Sequence, residues 1–229
     1  MKNLVLPIFA FFLVVFASCS KPTVNKVSGN WCMTDYKSVE SNESSDTTVE
    51  TSFIDADWQQ TTYANGQQEK VEGKINYNIP SLILNSDGTF SKHCKYYYHT
   101  ESKDSIIYVS QNTTGIWQFY QRQDVKGIDA IALCINEEKI SNKVVIKVED
   151  PDTVAYVCVS DTLSVNRYAK DEKYIVYNFD EYSNKKIVLN TYKSSHKINE
   201  CITLDRITDK NKEKIANKYG LNIVGHLDD

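Results

Sequence analysis

Residues 82–119, LILNSDGTFSKHCKYYYHTESKDSIIYVSQNTTGIWQF, constrain the fold more than any other part of the chain. Two short apolar runs flank Asn85-Ser86-Asp87-Gly88-Thr89. There Asp87 can close a turn with its own carboxylate, and Gly88 supplies the positive φ that a tight hairpin needs. Further on, Gly115 directly precedes Ile116-Trp117-Gln118-Phe119, whose two aromatics share one face of a strand. The stretch reads as consecutive antiparallel strands near 82–85, 90–99, 105–110 and 115–121.

The pattern continues on both sides. Ile75, Tyr77 and Ile79 alternate with Lys74, Asn76 and Asn78 until Pro80 ends the strand. Asn65-Gly66 suits the two positive φ values of a type I′ turn. Residues 53–63 read as one strand with Trp58 in a polar setting, and residues 38–52, almost all Ser, Glu, Asn, Asp and Thr, as a long solvated loop or flap. Downstream, Ile131, Leu133 and Ile135 oppose Ala130, Ala132 and Cys134, and Val144, Ile146 and Val148 form the next apolar face. Asp150-Pro151-Asp152 turns the chain into 154–160, which is apolar on both sides and is expected to be well buried. Segments 174–179 and 186–192 flank a hairpin turn at Glu181-Tyr182-Ser183-Asn184, and 200–207 is the last strand. Residues 209–219 read as a helix, with Thr208 or Asp209 as N-cap and Gly220 as the stop. About ten strands with polar turns and no alternating helices imply an all-β, antiparallel sheet closed into a barrel or sandwich.

Composition narrows the partners. Fifteen Tyr, eight Phe and three Trp favour strands. The net charge is −4 and the Lys and Arg residues are scattered, so the basic stripe of a nucleic-acid groove is missing.

The N-terminus reads as a targeting segment. Lys2 precedes an apolar run over 4–16, short of the ~20 residues that span a bilayer. Phe16-Ala17-Ser18-Cys19 resembles the lipobox of bacterial lipoproteins, with Phe where Leu is usual. That resemblance implies a signal peptide over 1–18 and lipidation at Cys19, with 19–28 as a tether and one domain over 29–229; the alternative is an ordinary signal peptide with a chance Cys. Removing 18 of the 229 residues leaves 211, and losing Lys2 moves the net charge from −4 to −5. No acidic run follows Cys19, which points to a periplasm-facing anchor in the outer membrane. Five cysteines remain, Cys32, Cys94, Cys134, Cys158 and Cys201; an odd number without Cys-x-x-Cys spacing reads as small buried hydrophobes, with one bridge open in an oxidising compartment.

Three features line up with the lipobox: Gly29-x-Trp31, Asn85-Ser86-Asp87-Gly88-Thr89-Phe90, and Gly115-Ile116-Trp117. Together they resemble the lipocalin-like lipoproteins of Gram-negative bacteria, over residues 28–133. The resemblance implies an antiparallel lipocalin-like β-barrel, open at one end, whose apolar interior holds a small lipophilic molecule. Trp31 would plug the closed end, and Trp31, Phe90, Trp117 and Phe119 are the expected cavity lining; the alternative is that all four are plain core.

Signatures of catalysis are missing: no Gly-x-Ser-x-Gly, His-Glu-x-x-His, phosphate loop or dinucleotide fingerprint occurs, so neither an enzyme nor a cofactor is expected. His93 and His99 share a strand face but lie about 20 Å apart, and Cys94 points the other way. Asp55 and Asp57 read as a solvated face, and His196 and His226 as surface. Tyr96-Tyr97-Tyr98 could form a carbohydrate platform or simply place rings on both faces. Asp46-Thr47-Thr48, Asp104-Ser105-Ile106, Asp152-Thr153-Val154 and Asp161-Thr162-Leu163 resemble O-glycosylation triplets of some Gram-negative anaerobes. The expected function is a non-catalytic envelope lipoprotein binding a small lipophilic ligand. The alternative is a filled barrel that binds glycan or protein through outer aromatics such as Trp58 or Tyr97.

Overall fold

Turn chemistry sets the strand ends. In the computed structural model, Asn65 and Gly66 take φ values of +52° and +74°, joining β3 (Asp57–Ala64) to β4 (Gln67–Ile75). Between β5 (Ser81–Leu84) and β6 (Thr89–His99), the Asp87 carboxylate accepts the Thr89 N–H at 2.9 Å and its hydroxyl at 2.7 Å. Gly88 supplies a φ of +87°. Residues 22–42, 45–75, 78–100, 104–121, 129–150, 153–195 and 197–219 are described. The expected signal peptide over 1–18, Cys19, Asn76 and Tyr77, Pro151 and Asp152 of the expected turn, His196, Gly220 and His226 lie outside them.

The remaining elements are β1 (Gly29–Asn42), β2 (Thr47–Ile54), β7 (Ser105–Tyr120), β8 (Ala130–Asp150), β9 (Thr153–Arg167), β10 (Lys173–Tyr182), β11 (Lys186–Ser194) and β12 (Ile198–Arg206), with α1 (Val24–Val27) and α2 (Lys212–Lys218). The fold is all-β, with twelve antiparallel strands among the described residues rather than ten. They run in the order β10-β11-β12-β1-β2-β3-β4-β6-β7-β8, and pairing of β8 residues 130–135 with β10 closes a ring. Short β5 fills the gap between the first residues of β1 and β6. Along that same edge of β8, opposite β7, residues 137–150 leave β10 behind and pair with β9 instead.

Several sequence expectations change. Residues 38–42 and 47–51 of the expected flap are paired strand: Ser38 through Asn42 pair with Thr51 through Thr47. Residues 53–63 break at a turn where Asp55 takes a φ of +54°. Strands 105–110 and 115–121 are one strand, as are the two apolar faces of β8, because polar side chains keep pairing where apolar alternation stops. The strand expected over 154–160 is not buried: residues 155–159 are exposed, since β9 pairs with β8 alone. The C-terminal helix starts at Lys212, with Asn211 as its cap residue. Cys32, Cys94 and Cys134 are buried, whereas Cys158 and Cys201 are exposed, and all five are free thiols.

The apolar core fills the end of the barrel where β1 begins. Trp31 is fully buried there, its Nε1 donates to the Val27 carbonyl at 2.8 Å, and the Arg206 guanidinium lies 4.3 Å over its ring. Trp117 packs edge-on against Phe119 and donates Nε1 to the Asn85 carbonyl at 2.8 Å, tying the hairpin turn to β7. Residues 24–28 are therefore part of the fold and not a free tether, since Arg206 also donates to the carbonyls of Ser28 and Lys26.

Gly115 lets β7 and β8 approach at this end. A Cβ there would lie 2.0 Å from the Cys134 carbonyl oxygen and 2.8 Å from the Phe90 ring. Gly115→Ala should therefore cost roughly 1–3 kcal/mol, the range for overpacking, read as a lower denaturant midpoint at unchanged m-value.

Candidate functional site

Above the plugged end the barrel opens into a cavity of about 510 Å³. Side chains alternate along each strand, so every second residue of β1, Met33 aside from the bulge that follows it, faces inward: Tyr36, Ser38 and Glu40. Met33, Phe90 and Leu133 are the lowest lining residues of their strands. Exposed Glu40, Gln111, Lys139 and Asn166 mark the mouth at the opposite end.

Of the four residues expected to line the cavity, Phe90 does and Trp31, Trp117 and Phe119 do not. Trp31 and Trp117 lie further down their strands than Met33 and Thr113, the last lining positions, so they form the packed floor below the lumen. Phe119 lies lower still, half-buried against Trp117. The residues that sequence reasoning missed carry the polar chemistry.

Glu200 on β12 is buried, and its carboxylate is held by groups from three other strands. One oxygen accepts the Tyr36 hydroxyl at 2.7 Å and Lys92 Nζ at 3.1 Å. The other accepts the Tyr177 hydroxyl and Lys92 Nζ at 3.2 Å. Lys92 also lies 4.5 Å over the Tyr36 ring. Burial alone would push the Glu200 carboxyl up, but the Lys92 charge and the donated hydrogen bonds outweigh it and hold the group below its ordinary value. Burial and the charge of Glu200 in turn push the Tyr36 and Tyr177 hydroxyls well above theirs.

A second cluster repeats this arrangement nearer the mouth. Glu138 accepts the Tyr168 hydroxyl at 2.6 Å and Lys173 Nζ at 2.8 Å, and Lys173 lies 5.0 Å over the Tyr168 ring. Although burial works against its charge, the Glu138 carboxylate raises the Lys173 ammonium above its ordinary value. The charged lining is thus balanced, with Lys92, Lys139 and Lys173 against Glu40, Glu138 and Glu200.

Aromatic rings complete the wall. Trp58 is buried rather than polar, stacked on Tyr96 at 4.1 Å, and Tyr36 stacks on Phe53 at 5.3 Å. Tyr97 points the other way, against Tyr108 at 5.7 Å. Cys94 also faces the lumen, but burial pushes its thiol up to about 12, far from a nucleophilic thiolate at neutral pH. His93 lies off the lining, Asp55 pairs with Lys218 and Asp57 with Lys74. No group of three metal-ligating side chains exists among the described residues. The lumen can stack rings and exchange hydrogen bonds without presenting a net charge.

The chain matches no protein-family model, no curated protein and no solved structure.

Removing one partner of a buried pair strands the other. Lys92→Met should destabilise the fold by about 3–5 kcal/mol, and adding Glu200→Leu should restore most of the loss, both read by chemical denaturation. The depressed carboxyl of Glu200 contributes stability in full above its unfolded value near ~4.3, and that contribution is lost as pH falls through the lower folded value. The thermal midpoint of the wild type should therefore exceed that of Glu200→Gln at pH 6, and the gap should close on acidification.

Proposed function

We propose that the chain is a lipid-anchored, lipocalin-like binding protein of the cell envelope whose lumen holds one small amphipathic molecule. The observation that carries this reading is the 510 Å³ cavity with a balanced charge lining, a size within the ~300–1,000 Å³ of small-molecule sites. The lining is half polar in character, with Ser38, Thr51, Gln60, Gln111 and Thr113 among stacked aromatics. It favours a molecule with hydroxyl or amide groups and a flat or apolar body over a bare hydrocarbon. A strongly charged head would have to break Lys92 from Glu200 or Lys173 from Glu138. The ligand is therefore uncharged overall or zwitterionic.

The anchor fits this geometry. The stretch from Cys19 to Thr23 reaches roughly 14 Å when extended, and α1 packs on the plugged end. Lipidation at Cys19 would hold that end against the membrane and turn the mouth toward the aqueous compartment.

The test is mass spectrometry of organic extracts from the protein purified out of its native membrane fraction. A stoichiometric neutral amphiphile is expected in the wild type. Thr113→Trp, which fills the lumen, should lack it while keeping the fold by circular dichroism. Cys19→Ser should leave the membrane fraction and still carry the ligand. An empty wild type, after incubation with an envelope extract, would sink the binding reading.

A further inference from the structure

The longest stretches of open sheet edge among the described residues are on β4 and β9, and the chain treats them differently. Beyond its pairing with β6 at residues 73–75, β4 carries Glu69, Lys70 and Glu72, the kind of charge that discourages strand addition. β9 pairs with β8 alone and leaves its other edge open. Leu163 is 66% exposed and Val165 39%. Over residues 153–167 the only charges are Asp161 and Arg167. A long, apolar, unguarded edge is a template for another strand.

We propose that this edge joins a second copy of the same chain, the two β9 strands pairing antiparallel over residues 161–167 with the two-fold axis at Ser164. The sequence is self-complementary in that register. On one face Leu163 falls opposite the partner's Val165, and Asp161 opposite the partner's Arg167, each pair occurring twice by symmetry. The other face, which Asn166 shares with the lumen, sets Thr162 opposite the partner's Asn166 and Ser164 opposite its own copy. An apolar centre is thus flanked by two ion pairs. Moving the axis to Leu163 sets Asp161 against Val165 and loses both.

The local structure leaves these groups available. Asp161 has no ion-pair partner among the described residues, and Arg167 uses only Nε, at 3.0 Å, to reach Glu137. A register step opposite Val144 and Val145 leaves Val159 as an extra residue in β9. Such a bulge bends the strand, so residues 153–158 can diverge from the partner. One seven-residue strand pair buries less than the ~1,200–2,000 Å² of stable interfaces, so the association is weak and concentration-dependent.

Analytical ultracentrifugation of the purified chain across the micromolar range tests this. A monomer–dimer equilibrium is expected. Leu163→Glu should abolish it, and Asp161→Arg and Arg167→Asp should each weaken it about tenfold or more, since each sets like charges together. An equimolar mixture of those two charge variants makes both cross-strand pairs opposite in sign and should restore a heterodimer, identified by intact mass under native conditions. A monomeric wild type at every concentration would overturn the proposal. So would a dimer indifferent to Leu163→Glu, or a mixture that stays monomeric. Strand exchange with unrelated peptides, or vesicle binding by a monomer, would assign the edge to another partner and equally overturn it. None of these readouts depends on what occupies the lumen.

Discussion

A buried carboxylate must be compensated, and here the compensation crosses the ring. Glu200 on β12 is bound by Tyr36 of β1, Lys92 of β6 and Tyr177 of β10, so one charged group couples strands that are remote in sequence. Each partner can reach it only if the sheet is closed and the registers are correct. A one-residue slip of β12 would turn Glu200 outward and bring Asn199 or Cys201 into the lumen. The network therefore works against alternative pairings more than it adds net stability, which buried ion pairs rarely do.

The two ends of the barrel follow different physics. Near the start of β1, Trp31, Leu82, Leu84, Leu204 and Ile187 are removed from water, and tight backbone approach at Gly115 lets β7 and β8 close over them. Toward the mouth the inward positions become Ser38, Thr51, Gln60 and Gln111, which hydrogen-bond and leave space instead of filling it. Hydrophobic burial fixes the fold at one end, which frees the other to be polar and hollow.

That division explains what could be read from the sequence. The turns at Asn65-Gly66 and Asp87-Gly88, the pairing of Ile131, Leu133 and Ile135 on one buried face, and the all-β class all follow from local patterns that packing reinforces. Residues 38–42 and 136–143 carry no such pattern, because a strand with a polar lumen on one side and water on the other has no amphipathic alternation to detect. Alternation along β7 gives the side of the strand on which Trp117 lies and says nothing about its height along the barrel. The charged lining does leave a signal in the sequence. Glu200 falls in the row Ile198, Ile202 and Leu204, Lys92 in the row Phe90, Cys94 and Tyr96, and Lys173 in the row Ile175 and Tyr177. A single charge within an otherwise apolar row has to find an opposite charge inside, and these three rows offer both signs.

The repetition of one arrangement at two heights bears on what such a lumen would accept. In both clusters an ammonium lies over a tyrosine ring and shares a carboxylate with that tyrosine's hydroxyl. Each cluster is internally neutral and its carboxylate is already engaged, so neither exerts a long-range pull on ions. What they present is directional, namely ring faces and the remaining N–H and O–H valences at fixed positions. Water leaving such a lumen would lower the local dielectric and strengthen the internal pairs. An occupant that completes the remaining hydrogen bonds gains from that change, whereas one that competes for Lys92 or Glu200 has to break the contacts that hold the ring in register.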